Sequence, residues 1–204
     1  MMVIWSNLTQ EAWKALQRQG HLRVSRRHTE KDFLASYLWM ASQMERRLRT
    51  PRPSEDAMPI WAWWQWWGDR RRPDLRASGY LPKGTRAVRV ELQVQDDRVL
   101  LSDFELWHYV LNYWYLPKTE KEGKAFEKKL TRAGLSLFGC SHERPLQNTE
   151  FRREVENSWE RIFDLSWTDP LHRIVSASKN RSIQATLWEL LMDDVVEIKE
   201  FTAR

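Results

Sequence analysis

Residues 87–94 read AVRVELQV, and their alternation decides the fold class. Val88, Val90, Leu92 and Val94 fall on one side of an extended chain, with Arg89, Glu91 and Gln93 on the other. That period of two belongs to a strand with one face in a core. Asp96 and Asp97 turn the chain after it, and RVLLSDF leads into a helix. Ser102 and Glu105 are spaced as a capping box for a helix from Phe104 to about Tyr115. Leu106, Trp107, Val110, Leu111 and Trp114 are its inward candidates.

On the N-terminal side of this strand lies PIWAWWQWW, with five tryptophans in the seven residues 61–67. As a strand it puts Trp61, Trp63 and Gln65 on one face and Trp64 and Trp66 on the other. Gly68 ends it and opens a polar loop to Gly84 that holds three glycines and two prolines over residues 68–84. Further out, MVIWS reads as a short strand. A helix follows, capped by Thr9, stapled by Leu8 and Trp13, and closed by Gly20. A second helix is predicted over about Thr29–Arg49, striped by Phe33, Tyr37, Met40, Ala41, Met44 and Leu48 and stopped by Pro51 and Pro53. Towards the C-terminus, Phe151, Val155, Trp159, Ile162 and Phe163 stand at helical spacing. SIQATLWEL and VVEIKEF close the chain as two strands around an Asp193–Asp194 turn. The expectation is an α+β fold: one compact domain over 1–204, an antiparallel or mixed sheet and several peripheral amphipathic helices. Residues 118–148 read as a variable charged insertion.

The 204 residues suffice for one sizeable core. Thirty-three basic and 28 acidic residues leave a formal charge of +5, compatible with phosphate-bearing partners without requiring them. Cys140 is the only cysteine, so no intrachain disulfide forms. No basic, apolar leader and no membrane-spanning run is visible, and the cytoplasm is the expected compartment.

No glycine-rich phosphate loop and no Gly-x-Ser-x-Gly elbow occurs. The five histidines lack metal-ligand spacing, and Cys140 with His142 is too small a set for zinc, so no metal is expected. Three sets remain. The tryptophans either pack in the core or stack on a ligand base or an arginine plane. Arg70, Arg71, Arg72 and Arg76 are either a solvated run or, at Arg76, a fork for phosphate or carboxylate; Asp74 and Arg76 also permit a plain ion pair. Asp103, His108 and Asn112 are explained by a cap and a core histidine, yet they converge better than any other polar set. To these is added Glu189, which continues the row Ile183, Ala185, Leu187. A carboxylate there is either at an exposed strand end or at the lip of a cleft. At a lip it would accept a hydrogen bond from a sugar hydroxyl and stabilise an oxocarbenium ion.

The motifs SYLWMASQM, PIWAW, RPDLRASGY, LLSDFELWHYVLN, SWERIFDL and IQATLWEL resemble a bacterial family, the domain of unknown function numbered 3841. The likeness runs over nearly the whole chain and implies one compact domain, most variable over Lys118–Asn148, with no established activity. A second likeness is to small ADP-ribosyltransferase toxins. It rests on the order of a strand, a helix ending in glycine, a middle strand, and a last strand with Glu189 ahead of DDVVEIKEF. It implies NAD as cofactor and transferase chemistry on a nucleic-acid or protein target. Glu189 would hold the nicotinamide ribose, Arg76 the pyrophosphate, and Trp61 or Trp63 the nicotinamide or adenine. Trp5 and Ser6 stand where such proteins usually carry His or Arg on the first strand. His108 and Asp103, with Asn112 beside them, would position the ribose or the acceptor. The alternatives are a non-enzymatic nucleotide- or nucleic-acid-binding module and a protein-interaction module of a defence, toxin or phage system.

Overall fold

The computed structural model describes the chain except residues 69–71, 78–80, 169–173 and 178–179. The fold is α+β: among the described residues there are nine strands and five α-helices. The chain divides into two compact units, one built of Met1–Leu101 with Ser182–Arg204, the other of Ser102–Arg181.

The first unit opens with β1 (Met2–Thr9) and α1 (Gln10–Gln19). The cap is as expected: Thr9 Oγ1 accepts from the Ala12 N–H at 3.2 Å. Gly20 takes the left-handed conformation at φ 75° and donates its N–H to Leu16 O at 2.9 Å, a turn that a side chain would strain. Next come β2 (His21–Ser25), α2 (Leu34–Arg47), β3 (Ala57–Met58), β4 (Ile60–Gln65) and β5 (Arg86–Val94). α2 starts later than its apolar stripe implies, because residues 26–28 and 31–33 form two short 3₁₀ turns instead. Met40, Ala41 and Met44 of the stripe are buried.

β6 (Leu100–Asp103) leads into the second unit, and β7 (Ile183–Leu187), β8 (Glu189–Leu191) and β9 (Val195–Thr202) close the first. The large sheet has the order β6-β7-β4-β1-β5-β9; a small one has β3-β2-β8. β1 is antiparallel to both β4 and β5, β4 to β7, and β5 to β9. The core face of the large sheet carries Ile4, Leu8, Ile60, Ala62, Val88, Val90, Leu92, Val94, Ala185 and Leu187, closed by Trp13 and Leu16 of α1. The alternation read in residues 87–94 is thus the core row of a central strand.

The terminal strand differs from its sequence reading. All five residues of β7 are buried, so the strand is covered on both faces. The chain then leaves the large sheet at the buried Trp188, and Glu189 begins β8 in the small sheet, paired with β2. Glu189 therefore does not extend the row of Ile183, Ala185 and Leu187.

In the second unit α3 spans Phe104–Leu111, α4 Glu120–Arg132 and α5 Thr149–Ser158, the last continued by a 3₁₀ turn to Phe163. The N-cap of α3 is Asp103, whose Oδ1 accepts from the Leu106 N–H at 3.0 Å; Ser102 is not the cap, and the helix stops at Asn112. Phe126 and Leu130 anchor α4, and Phe151, Val155, Trp159 and Ile162 are buried as their spacing implies. No described helix is long and apolar enough to cross a membrane.

Candidate functional site

Side chains alternate along a strand, so each residue between two core positions of the large sheet points to the opposite face. The register then aligns rows across five strands. Gln184 stands opposite Trp63, Trp63 opposite Trp5, Trp5 opposite Glu91, and Glu91 opposite Glu197. The next row holds Thr186 opposite Trp61, and Asn7 opposite Arg89, itself opposite Lys199. One face of the sheet is aliphatic. The other is a floor of three indoles bordered by amides, two carboxylates and two cations.

The floor is held by specific contacts. Trp5 Nε1 donates to Glu91 Oε2 at 2.7 Å, which fixes the rotation of that indole. Ser6 lies on the core side of β1, but its hydroxyl donates to Trp61 O at 3.1 Å and ties β1 to β4. Trp66 meets Trp63 edge-on, ring centroids 4.6 Å apart. Tyr37 of α2 lies against Trp61 at 5.1 Å, and burial, with the Glu30 charge adding to it, raises the phenol above its ordinary pKa. Arg89, only 8% exposed, donates Nη1 to Pro73 O at 3.0 Å. Arg72 reaches Glu197 at 3.3 Å, so the segment around Pro73 is tied to the sheet at two points. The side-chain amide of Asn7 is closed to solvent, and neither Oδ1 nor Nδ2 has a hydrogen-bond partner among the described residues.

Of the residues chosen from sequence, Trp5, Ser6, Trp61 and Trp63 come together here. Neither Trp61 nor Trp63 is a core residue, since Ile60 and Ala62 take the core side of β4; Trp64 is the indole packed against that core. The fan of alternating indoles is also shorter than PIWAWWQWW implies, because the register shifts between Trp63 and Gln65.

Glu189 and Arg76 are placed elsewhere. Glu189 Oε2 takes both Arg23 Nε and Arg23 Nη2 at 2.8 Å across the β2–β8 ladder, with 19% of its side chain exposed. Oε1 takes no part in that pair. Arg76 is 79% exposed and grips Asp74 through Nε and Nη2 at 2.8–3.1 Å, so the plain ion-pair reading describes it. The Arg76 hydrogen bonds hold Asp74 down at about 2. Arg70, Arg71 and His172 lie outside the described residues.

Asp103, His108 and Asn112 belong to the second unit, and each is engaged locally. Asp103, 1% exposed, caps α3 with Oδ1 and forms a buried ion pair to Arg181 Nε with Oδ2. His108 Nδ1 lies 3.1 Å from Phe104 O, and Asn112 Nδ2 donates to His108 O at 2.8 Å. These contacts account for both ends of the helix. Among the described residues no group of three or more His, Cys, Asp or Glu is arranged to hold a metal ion.

Sequence reasoning missed Asn7, Arg89, Glu91, Gln184 and Thr186. In the sequence Arg89 and Glu91 read only as the residues that alternate with the core row of the strand. The signal that could have found them is that WAWWQWW and MVIWS both place indoles on their own non-core positions, so the opposite face had to be covered as well.

No curated protein and no solved structure matches the chain. A family model matches residues 3–196, nearly the whole length that carries the motifs above. The chain belongs to the family described as a domain of unknown function, DUF3841.

Proposed function

We propose that the indole floor of the first unit binds a dinucleotide of the NAD class, and that the chain is an ADP-ribosyltransferase-like protein acting on a nucleic-acid or protein target. The observation that carries this reading is the registered pair Trp63–Trp5, with Glu91 fixing one indole and Arg89 alongside. Flat π-surfaces beside a cation suit a flat heterocycle that carries phosphates. The element order supports it too: β1, α1 closed by Gly20, the middle strand β4, then Glu189, the Asp193–Asp194 turn and β9.

In this reading the dinucleotide extends from the floor to the small sheet, where Glu189 accepts a ribose hydroxyl through Oε1, the oxygen that takes no part in the Arg23 pair. The N-glycosidic bond breaks with its electron pair going to nicotinamide. The carboxylate stabilises the positive charge that develops on the ribose. The acceptor then forms the new bond to that carbon and loses its proton. Arg89, not Arg76, supplies the positive charge beside the indoles.

Two measurements test this. NAD is titrated against the protein, and nicotinamide release is assayed. Trp63→Ala is expected to weaken NAD binding by about tenfold or more, the contribution of one stacked base. Glu189→Gln is expected to bind NAD and release no nicotinamide. A parent protein that binds no NAD sinks the whole reading; a Glu189→Gln protein as fast as the parent sinks the catalytic role of that carboxylate.

A further inference from the structure

The outer edge of the large sheet is β9, eight residues reading VVEIKEFT. Most of it is solvent-facing: Val196 is 54% exposed and Ile198 44%. An exposed edge strand is a template for another strand, and natural edges discourage this with charges and bulges. β9 carries Glu197, Lys199 and Glu200, and its register with β5 shifts between Glu91 and Leu92. These devices act against a strand of arbitrary sequence. The charges do not act against a second copy of β9, and the register shift leaves the stretch from Glu197 regular.

Two antiparallel copies related by a two-fold axis through the sheet must oppose residues whose numbers sum to an even constant, because opposed side chains share a face. Centring the axis on Ile198 sets Glu197 of each copy against Lys199 of the other, twice, with Ile198 against Ile198, within the regular stretch that begins at Glu197 after the register shift. Moving the axis by one residue either way puts Glu197 against Glu197 or Lys199 against Lys199. The charges therefore permit one register and reject its neighbours. Glu197 also holds Arg72 at 3.3 Å, which orders its carboxylate at the edge.

We infer that β9 is a homodimer interface, in which two copies of the chain extend the large sheet edge to edge about Ile198. This is independent of the nucleotide reading. The test is sedimentation velocity of the full chain over a concentration series. The parent dimerises. Lys199→Glu and Glu197→Lys each set two like-charged pairs face to face, and each raises the dimer dissociation constant by about tenfold or more. An equimolar mixture of the two variants restores every opposite pair and dimerises at least as well as the parent. Both substitutions lie on the exposed edge, and unchanged circular dichroism confirms that the variants fold. A parent that stays monomeric at every concentration overturns the inference. So does either variant dimerising like the parent, and so does a mixture that stays monomeric.

Discussion

Polar side chains are used in opposite ways in the two units. In Ser102–Arg181 the charged side chains close on one another, while Tyr113 Oη is buried without a hydrogen-bond partner among the described residues. Asp103 is shared between the α3 cap and Arg181, whose Nη1 also donates to Leu165 O at 2.8 Å. Glu122 accepts from Tyr115 Oη at 2.7 Å, from Arg161 Nη2 at 2.7 Å and from the Lys118 N–H at 2.7 Å. Burial alone would raise Glu122, but these bonds outweigh it and leave the carboxyl below its ordinary pKa. On the indole floor of the other unit, polar groups stand among aromatic rings, and at Asn7 a whole amide has no hydrogen-bond partner among the described residues. Closed networks hold a scaffold. A buried amide such as that of Asn7, beside flat apolar surface, is where a ligand has something to complete.

The comparison breaks most visibly at Asp103. Removing one partner of a buried pair leaves the other charge uncompensated. Asp103→Ala is expected to lower unfolding stability by about 3 kcal/mol, read from urea unfolding. Asp103→Asn keeps the capping oxygen and is expected to cost less. If Asp103→Ala unfolds at the parent's urea concentration, the Asp103–Arg181 pair adds no stability and the network is not closed.

The first-unit scaffold was legible because its signals are local. Thr9, Leu8, Trp13 and Gly20 bracket α1 within one stretch of chain, and residues 87–94 declare a core strand by alternation alone. The floor was half legible. Trp61 and Trp63 could be placed on one face, but which face met the core depends on Ile60 and Ala62 pairing with Leu187 and Ala185, more than 120 residues later. Glu189 was misread for a related reason. Nothing in IQATLWEL says that the chain changes sheets at Trp188, since the exchange is set by the distant β2. Asp103 was read as a charge near a helix start, and its partner Arg181 lies 78 residues away.

A smaller effect separates hydrogen bonding from charge in the closed network. Burial, then the bond to Glu122, pushes Tyr115 from 10.0 to about 12. A group whose folded pKa is raised contributes stability that is complete below its unfolded pKa and is lost as pH rises through the folded one. The parent is therefore expected to lose stability between pH 10 and about 12 through this residue. Tyr115→Phe lowers stability at neutral pH by about 1 kcal/mol, the contribution of one half-exposed hydrogen bond to a charged group. The variant no longer shows this residue's share of the alkaline loss. Urea midpoints of both proteins from pH 8 to 12 check it, and parallel curves would show that the Tyr115–Glu122 bond contributes nothing.

The smallest effect carries the opposite sign. The buried Asn7 amide has no hydrogen bond among the described residues, and on that footing the fold bears the desolvation of both polar atoms with no return. Asn7→Leu removes that penalty at similar volume. It is expected to leave stability unchanged or raise it by about 0.5 kcal/mol, where the same logic applied to Asp103 gives a loss. Its urea midpoint decides between two accounts of the floor. A clear loss of stability would mean that the Asn7 amide is satisfied in solution, by ordered water, and that this face is closed like the second unit. A gain together with weaker NAD binding would mark Asn7 as a group kept for a ligand at the fold's expense, the exchange of stability for function that binding surfaces commonly show.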